Sequence, residues 1–125
     1  MARYAVIGLG RFGMTVAKIL TENGMEVIAI DKDQDLVNEI SSIVTSAVCM
    51  DSTDEAALRS QNLNEADAVI IGIGSNIEEC ILTAAILKKI GVGIIYAKIE
   101  SELHGRILKM LGVQHTLLPE EIVGN

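Results

Sequence analysis

The sequence predicts an α/β fold: a doubly wound parallel sheet of six strands in the order 3-2-1-4-5-6. Three observations predict it. Apolar, strand-like runs alternate with amphipathic helical stretches along the 125-residue chain, joined by short connections. Half of the residues are hydrophobic yet only 2% are aromatic, which suits aliphatic strands covered by helices on both faces. A glycine-rich turn, Gly8-Leu9-Gly10-Arg11-Phe12-Gly13, marks the change from strand period to helix period.

Each element follows in order. The runs Tyr4–Ile7, Val27–Ile30, Thr45–Met50, Ala68–Ile73, Ile94–Ile99 and His115–Leu118 read as strands. The first helix, Phe12–Glu22, is expected to turn Phe12, Val16, Ile19 and Leu20 inward and to stop at Asn23-Gly24. The second starts from Asp33 as N-cap, with Leu36, Val37, Ile40 and Ile43 facing the core. A short third helix covers Asp54 to Ser60. The fourth opens at Ser75, with Glu78 completing a capping box, and runs to Ile90 before Gly91. Its apolar residues cover more than one face, so it reads either as partly meeting another protomer or as buried within this domain. The fifth spans Ser101 to Leu111 and is closed by Gly112. The chain therefore reads as one domain over residues 1–125, with its single proline, Pro119, ending the last strand.

Composition removes several function classes. A formal charge of −7 and a pI near 4.7 oppose binding to nucleic acid or an anionic membrane. No apolar run approaches the roughly 18 residues of a membrane span, and no leader precedes the first strand, so a soluble, cytoplasmic protein is expected. Cys49 and Cys80 are isolated, without metal-ligand spacing, and read as small buried hydrophobes of a reduced protein. His104 and His115 have no nucleophile or carboxylate partner nearby in sequence, so neither reads as catalytic and no metal site is expected.

The residues that carry chemistry stand at the strand ends, where this sheet type places its ligands. Gly8 permits the tight turn, Gly10 a close approach to a pyrophosphate, and Gly13 close packing of helix on strand. Arg11, within the loop, reads either as a phosphate grip or as a solvated first-turn residue. Asp31 follows the loop at about the 20-residue interval expected of a ribose-binding carboxylate, which favours NAD or ATP over NADP. Lys32 beside it softens that exclusion. Asp51 and Ser52 read as contacts to an adenine edge, the alternative being that Ser52, Thr53 and Asp54 cap the third helix. The turn Ile73-Gly74 faces the glycine loop across the switch point, and Ser75 is expected to cap the helix. Lys98, a charge within an apolar strand, is expected to meet a ligand phosphate, Glu120, or solvent at the sheet rim.

These same residues resemble a known family. The run Val6 to Gly13, Ile30-Asp31, Asp51-Ser52-Thr53-Asp54, Ile73-Gly74-Ser75-Asn76, Tyr96-Ala97-Lys98 and Leu118-Pro119-Glu120 are similar to the TrkA-N or KTN domain, the N-terminal domain of regulators of potassium conductance (RCK). The resemblance covers about residues 2 to 121. It implies a cytosolic regulatory subunit, not an enzyme, that binds NAD(H) or ATP/ADP and gates a membrane potassium-transporting subunit of Trk or Ktr type. It also implies a homo-oligomer, a dimer or ring of dimers, held at the inner face of the cell membrane through its partner. Carried over, Gly8, Gly10, Arg11, Phe12 and Gly13 hold phosphates, Asp31 the ribose, and Asp51 and Ser52 the adenine. Lys98 and Glu120 then stand near the distal phosphate or a dimer seam. Two departures are visible: Met50 replaces the family's glycine before Asp51, and the family's C-terminal RCK domain is absent from these 125 residues. The alternative reading is the cofactor domain of an NAD-dependent oxidoreductase, which needs a general acid or base and a substrate domain.

Overall fold

The alternating periods resolve, in a computed structural model that describes residues 2–118, into six strands and five α-helices. In order these are β1 (Arg3–Ile7), α1 (Arg11–Glu22), β2 (Glu26–Asp31), α2 (Gln34–Ile40), β3 (Ser46–Cys49) and α3 (Glu55–Arg59). After a 3-10 turn at Leu63–Glu65 follow β4 (Ala68–Ile71), α4 (Ile77–Lys89), β5 (Ile95–Lys98), α5 (Glu102–Met110) and β6 (His115–Leu117). Every pairing is parallel, and the sheet order is β3-β2-β1-β4-β5-β6, as the sequence predicts.

Burial explains why the strands sit where they do. Ala68-Val69-Ile70-Ile71 is apolar at every position, and β4 is buried along its whole length at the middle of the sheet. Alternate side chains feed two cores. Val6, Ala29 and Ile70 pack with Met14 and Ala17 of α1 and with Val37 and Ile40 of α2. Ala5, Ile7, Ile30 and Ile71 pack on the other face with Leu58 of α3, Leu87 of α4 and Leu108 of α5. Each fully buried aliphatic side chain contributes about 1.5–3 kcal/mol, so the two layers hold the sheet between them.

Several expectations about boundaries and inward faces are corrected. β4 stops at Ile71 rather than Ile73, and its last bond to β1 runs from the Gly72 N–H to the Ile7 carbonyl at 2.7 Å. On α1 Phe12, Val16 and Leu20 pack against the core as expected, beside the buried Gly13, Met14 and Ala17, but Ile19 is 51% exposed. The line of closest approach to the sheet runs through Gly13, which docks on the Gly8 carbonyl with no room there for a Cβ. α2 ends at Ile40, and in the turn that follows Val44 is buried while Ile43 is exposed. The α4 cap is Asn76 rather than Ser75: its Oδ1 accepts the Glu79 N–H at 3.0 Å, so the capping box with Glu78 does not form. Cys80 is buried as expected, and burial pushes its thiol up to about 11. Cys49 is instead exposed at the edge strand, its thiol donating to the Lys32 carbonyl at 3.4 Å. Pro119 lies outside the described residues.

Candidate functional site

β1 and β4 are neighbours, but the helices that follow them pack on opposite faces of the sheet. Their connections must diverge, and a crevice of about 210 Å3 opens between them. Gly8, Leu9 and Gly10 form one wall. Gly72, Ile73, Gly74, Asn76 and Glu79 form the other, with Asp31, Lys32, Met50 and Ser52 from the ends of β2 and β3.

Glycine shapes both walls. Gly8 has φ +96°, in the left-handed region, and a Cβ there would stand 2.8 Å from the Gly72 carbonyl carbon. A Cβ on Gly72 would in turn press to 3.3 Å from Gly13 Cα. Gly8, Gly13 and Gly72 thus allow three backbones to pack directly. Gly10 and Gly74 differ, since a Cβ on either would meet nothing within 4 Å; they border the open crevice.

The N-terminus of α1 supplies the donors. Its N-cap is Gly10, with no side-chain cap and no acidic residue in the first turn. Met14 is the first residue to donate to the helix, to the Gly10 carbonyl at 2.9 Å. The N–H groups of Arg11, Phe12 and Gly13 therefore have no partner within the helix. Together with the positive end of the helix dipole they favour an anion.

Asp31 stands beside them and is already engaged. Its Oδ2 accepts the Leu9 N–H at 2.7 Å and its Oδ1 accepts the Asp33 N–H at 2.8 Å. A carboxylate has about four lone-pair sites, so two remain for ligand hydroxyls. Lys32 Nζ reaches across to Glu79 Oε2 at 3.3 Å. Ser52 is buried, with its hydroxyl 2.8 Å from that of Thr83, which ties the β3 loop to α4.

Among the expected site residues the structure brings together Gly8, Gly10, Asp31, Lys32, Ser52, Ile73 and Gly74. The others lie differently. Gly13 acts beneath the crevice by packing, and Phe12 beside it meets Gly72. Arg11 is exposed at the start of α1. Asp51 borders an adjoining outer depression, with its carboxylate accepting the Thr53 N–H and hydroxyl. Those two bonds hold its pKa below the usual 3.8. The capping alternative for this loop holds for Asp54, which accepts the Ala57 N–H. Lys98 is not in the crevice lining; its Nζ stands 3.8 Å from Glu100. Glu120 lies outside the described residues.

Sequence reasoning missed Gly72, which it placed inside a strand, and Asn76, Glu79 and Thr83. The one signal for Glu79 is its place three residues after Asn76, in the first turn of α4. His104 is buried in α5, where its Nδ1 accepts the Glu100 N–H at 3.0 Å and burial lowers its pKa. His115 stacks on Tyr96 at 4.4 Å. Neither lines the crevice. Among the described residues no cluster of three or more His, Cys, Asp or Glu is arranged to hold a metal ion, and no helix is long and apolar enough to cross a membrane.

The arrangement offers unpaired backbone N–H groups to an anion and free carboxylate lone pairs to neighbouring hydroxyls, and the chain resembles known proteins. The chain is 47% identical over 117 residues to Ktr system potassium uptake protein C of Bacillus subtilis, a match covering 94% of this chain and 53% of that protein. It is 35% identical over 122 residues to Ktr system potassium uptake protein A of Vibrio alginolyticus, covering 98% and 56%. The chain spans about half the length of these relatives. Among solved structures it superposes on the NAD(P)-binding domain of an exopolyphosphatase-related protein from Archaeoglobus fulgidus with a TM-score of 0.88 and 26% identity, covering 99% of this chain and 92% of that one. Residues 4–119 match the TrkA-N domain, and the chain belongs to that family.

Proposed function

We propose that this domain binds NAD(H) or ATP/ADP in the β1–β4 crevice and thereby regulates a potassium transport system. One observation carries the reading: the N-terminus of α1 opens into the crevice without cap or acid, one residue from the Leu9 N–H that holds Asp31. Pyrophosphate fits the first feature and ribose the second. The potassium link rests on the Ktr relatives. The partner in this reading is a membrane potassium-transporting subunit, with the domain at the inner face of the cell membrane. Ile77 and Leu82, 37% and 49% exposed on α4, support contact with a second copy of the chain. A nucleotide that binds two arrangements of such an assembly unequally shifts the gate without making or breaking a bond.

Thermal unfolding with NAD, NADH, ATP, ADP and NADP tests the reading. A ligand at 100 times its Kd is expected to stabilise the protein by about 2.7 kcal/mol. NADP is expected to shift it least, because Asp31 repels a 2′-phosphate. No shift with any of the five overturns the nucleotide assignment.

A further inference from the structure

We propose that Glu79 sets the site's selection against a 2′-phosphate by holding Lys32 away from the ribose edge that Asp31 serves. The proposal rests on the nucleotide reading above and names a specificity residue for it. Lys32 directly follows Asp31, so its cation belongs beside the 2′ position of a bound ribose. Its ammonium is instead drawn across the crevice, to 3.3 Å from Glu79 Oε2. The two partners are unequal. The Glu79 side chain is 15% exposed, and its backbone N–H is fixed by the Asn76 cap. The Lys32 side chain is 63% exposed. The carboxylate is therefore the fixed post and the lysine the tethered arm.

Placement adds to this. Lys32 and Glu79 both line the inner crevice and the outer depression beside it, so the ion pair stands at their junction. With Glu79 in place the β2 end presents two carboxylates and one occupied ammonium, which disfavours a phosphate dianion. Neutralising Glu79 removes one negative charge and releases the ammonium to meet that phosphate, the arrangement by which a cation accommodates NADP in such sheets. A comparable pair, Lys89 with Glu55 at 3.0 Å, lies away from both depressions and serves as control.

Titration calorimetry of the full chain with NAD and NADP tests this, using wild type, Glu79→Gln, Lys32→Gln, the double variant and Lys89→Gln. The expected result is a Kd(NADP)/Kd(NAD) ratio about fivefold lower in Glu79→Gln than in wild type, the scale of one screened charge at a rim. Lys32→Gln in that background is expected to abolish the gain, and Lys89→Gln to leave the ratio at its wild-type value. An unchanged ratio in Glu79→Gln overturns the proposal, and so does a gain that survives in the double variant, since the lysine is then not the agent. Wild type that binds neither NAD nor NADP overturns the proposal, since there is then no selection to set. The nucleotide reading falls with it only if ATP and ADP, titrated alongside, also fail to bind. Wild type that binds NAD with an unchanged ratio in Glu79→Gln removes only the role of Glu79. Unfolding midpoints without nucleotide verify that each variant is folded.

Discussion

The helices α1 and α4 begin on opposite walls of one crevice, and their first turns are built on opposite plans. α4 satisfies itself: Asn76 caps it, and Glu78 and Glu79 sit in its first turn against the dipole. α2, α3 and α5 follow the same plan, each with a capping side chain and an acidic residue in the first turn. α1 has neither. A folded chain gains from each cap and each favourable first-turn charge, so the bare turn at Gly10 forgoes stability where a ligand anion would supply it. The four closed helices are satisfied within the fold, and the open one presents free donors to the crevice, as the proposed binding requires.

Three substitutions break or sharpen that contrast. The largest effect belongs to Gly13→Ala, which drives a Cβ into the Gly8 carbonyl and separates α1 from β1. It is expected to destabilise the protein by about 3 kcal/mol, read as a lowered urea midpoint. Gly10→Asp comes next. Gly10 has the extended conformation of an N-cap and free space around its Cβ, so aspartate converts α1 to the plan of α4. The nucleotide-free protein is expected to gain a few tenths of a kcal/mol, while the roughly 2.7 kcal/mol stabilisation by saturating nucleotide disappears. Asn76→Ala is the mirror case. It is expected to cost about 1 kcal/mol of unfolding free energy and, because Asn76 lines the crevice, to reduce the nucleotide shift only in part. Should Asn76→Ala lose the shift while Gly10→Asp keeps it, the roles of the two helices are reversed.

The architecture was legible because it is written in local periods. Six aliphatic runs, five helical stretches and their glycine stops determine the sheet order, and the glycine loop with Asp31 marks the crevice. What escaped depends on contacts between distant segments. The close docking of α1 on β1 depends on one backbone contact between Gly13 and Gly8, and Ile19 stays outside. Gly72 reads as strand interior until β1 and β4 are seen side by side. Lys32 and Glu79 are 47 positions apart, and Ser52 and Thr83 are 31 apart. No periodicity pairs them.

The bond from Leu9 N–H to Asp31 has a thermodynamic consequence. It stitches the loop after β1 to the end of β2 before any ligand arrives, so the conformational entropy of ordering that loop is lost on folding rather than on binding. Such preorganisation strengthens affinity without adding a contact. It also complicates the usual test of a binding carboxylate. Asp31→Ala removes the acceptor proposed for the ribose and at the same time frees the backbone that presents the donors proposed for phosphate. Its loss of affinity therefore measures two effects together and exceeds the worth of the ribose contact alone.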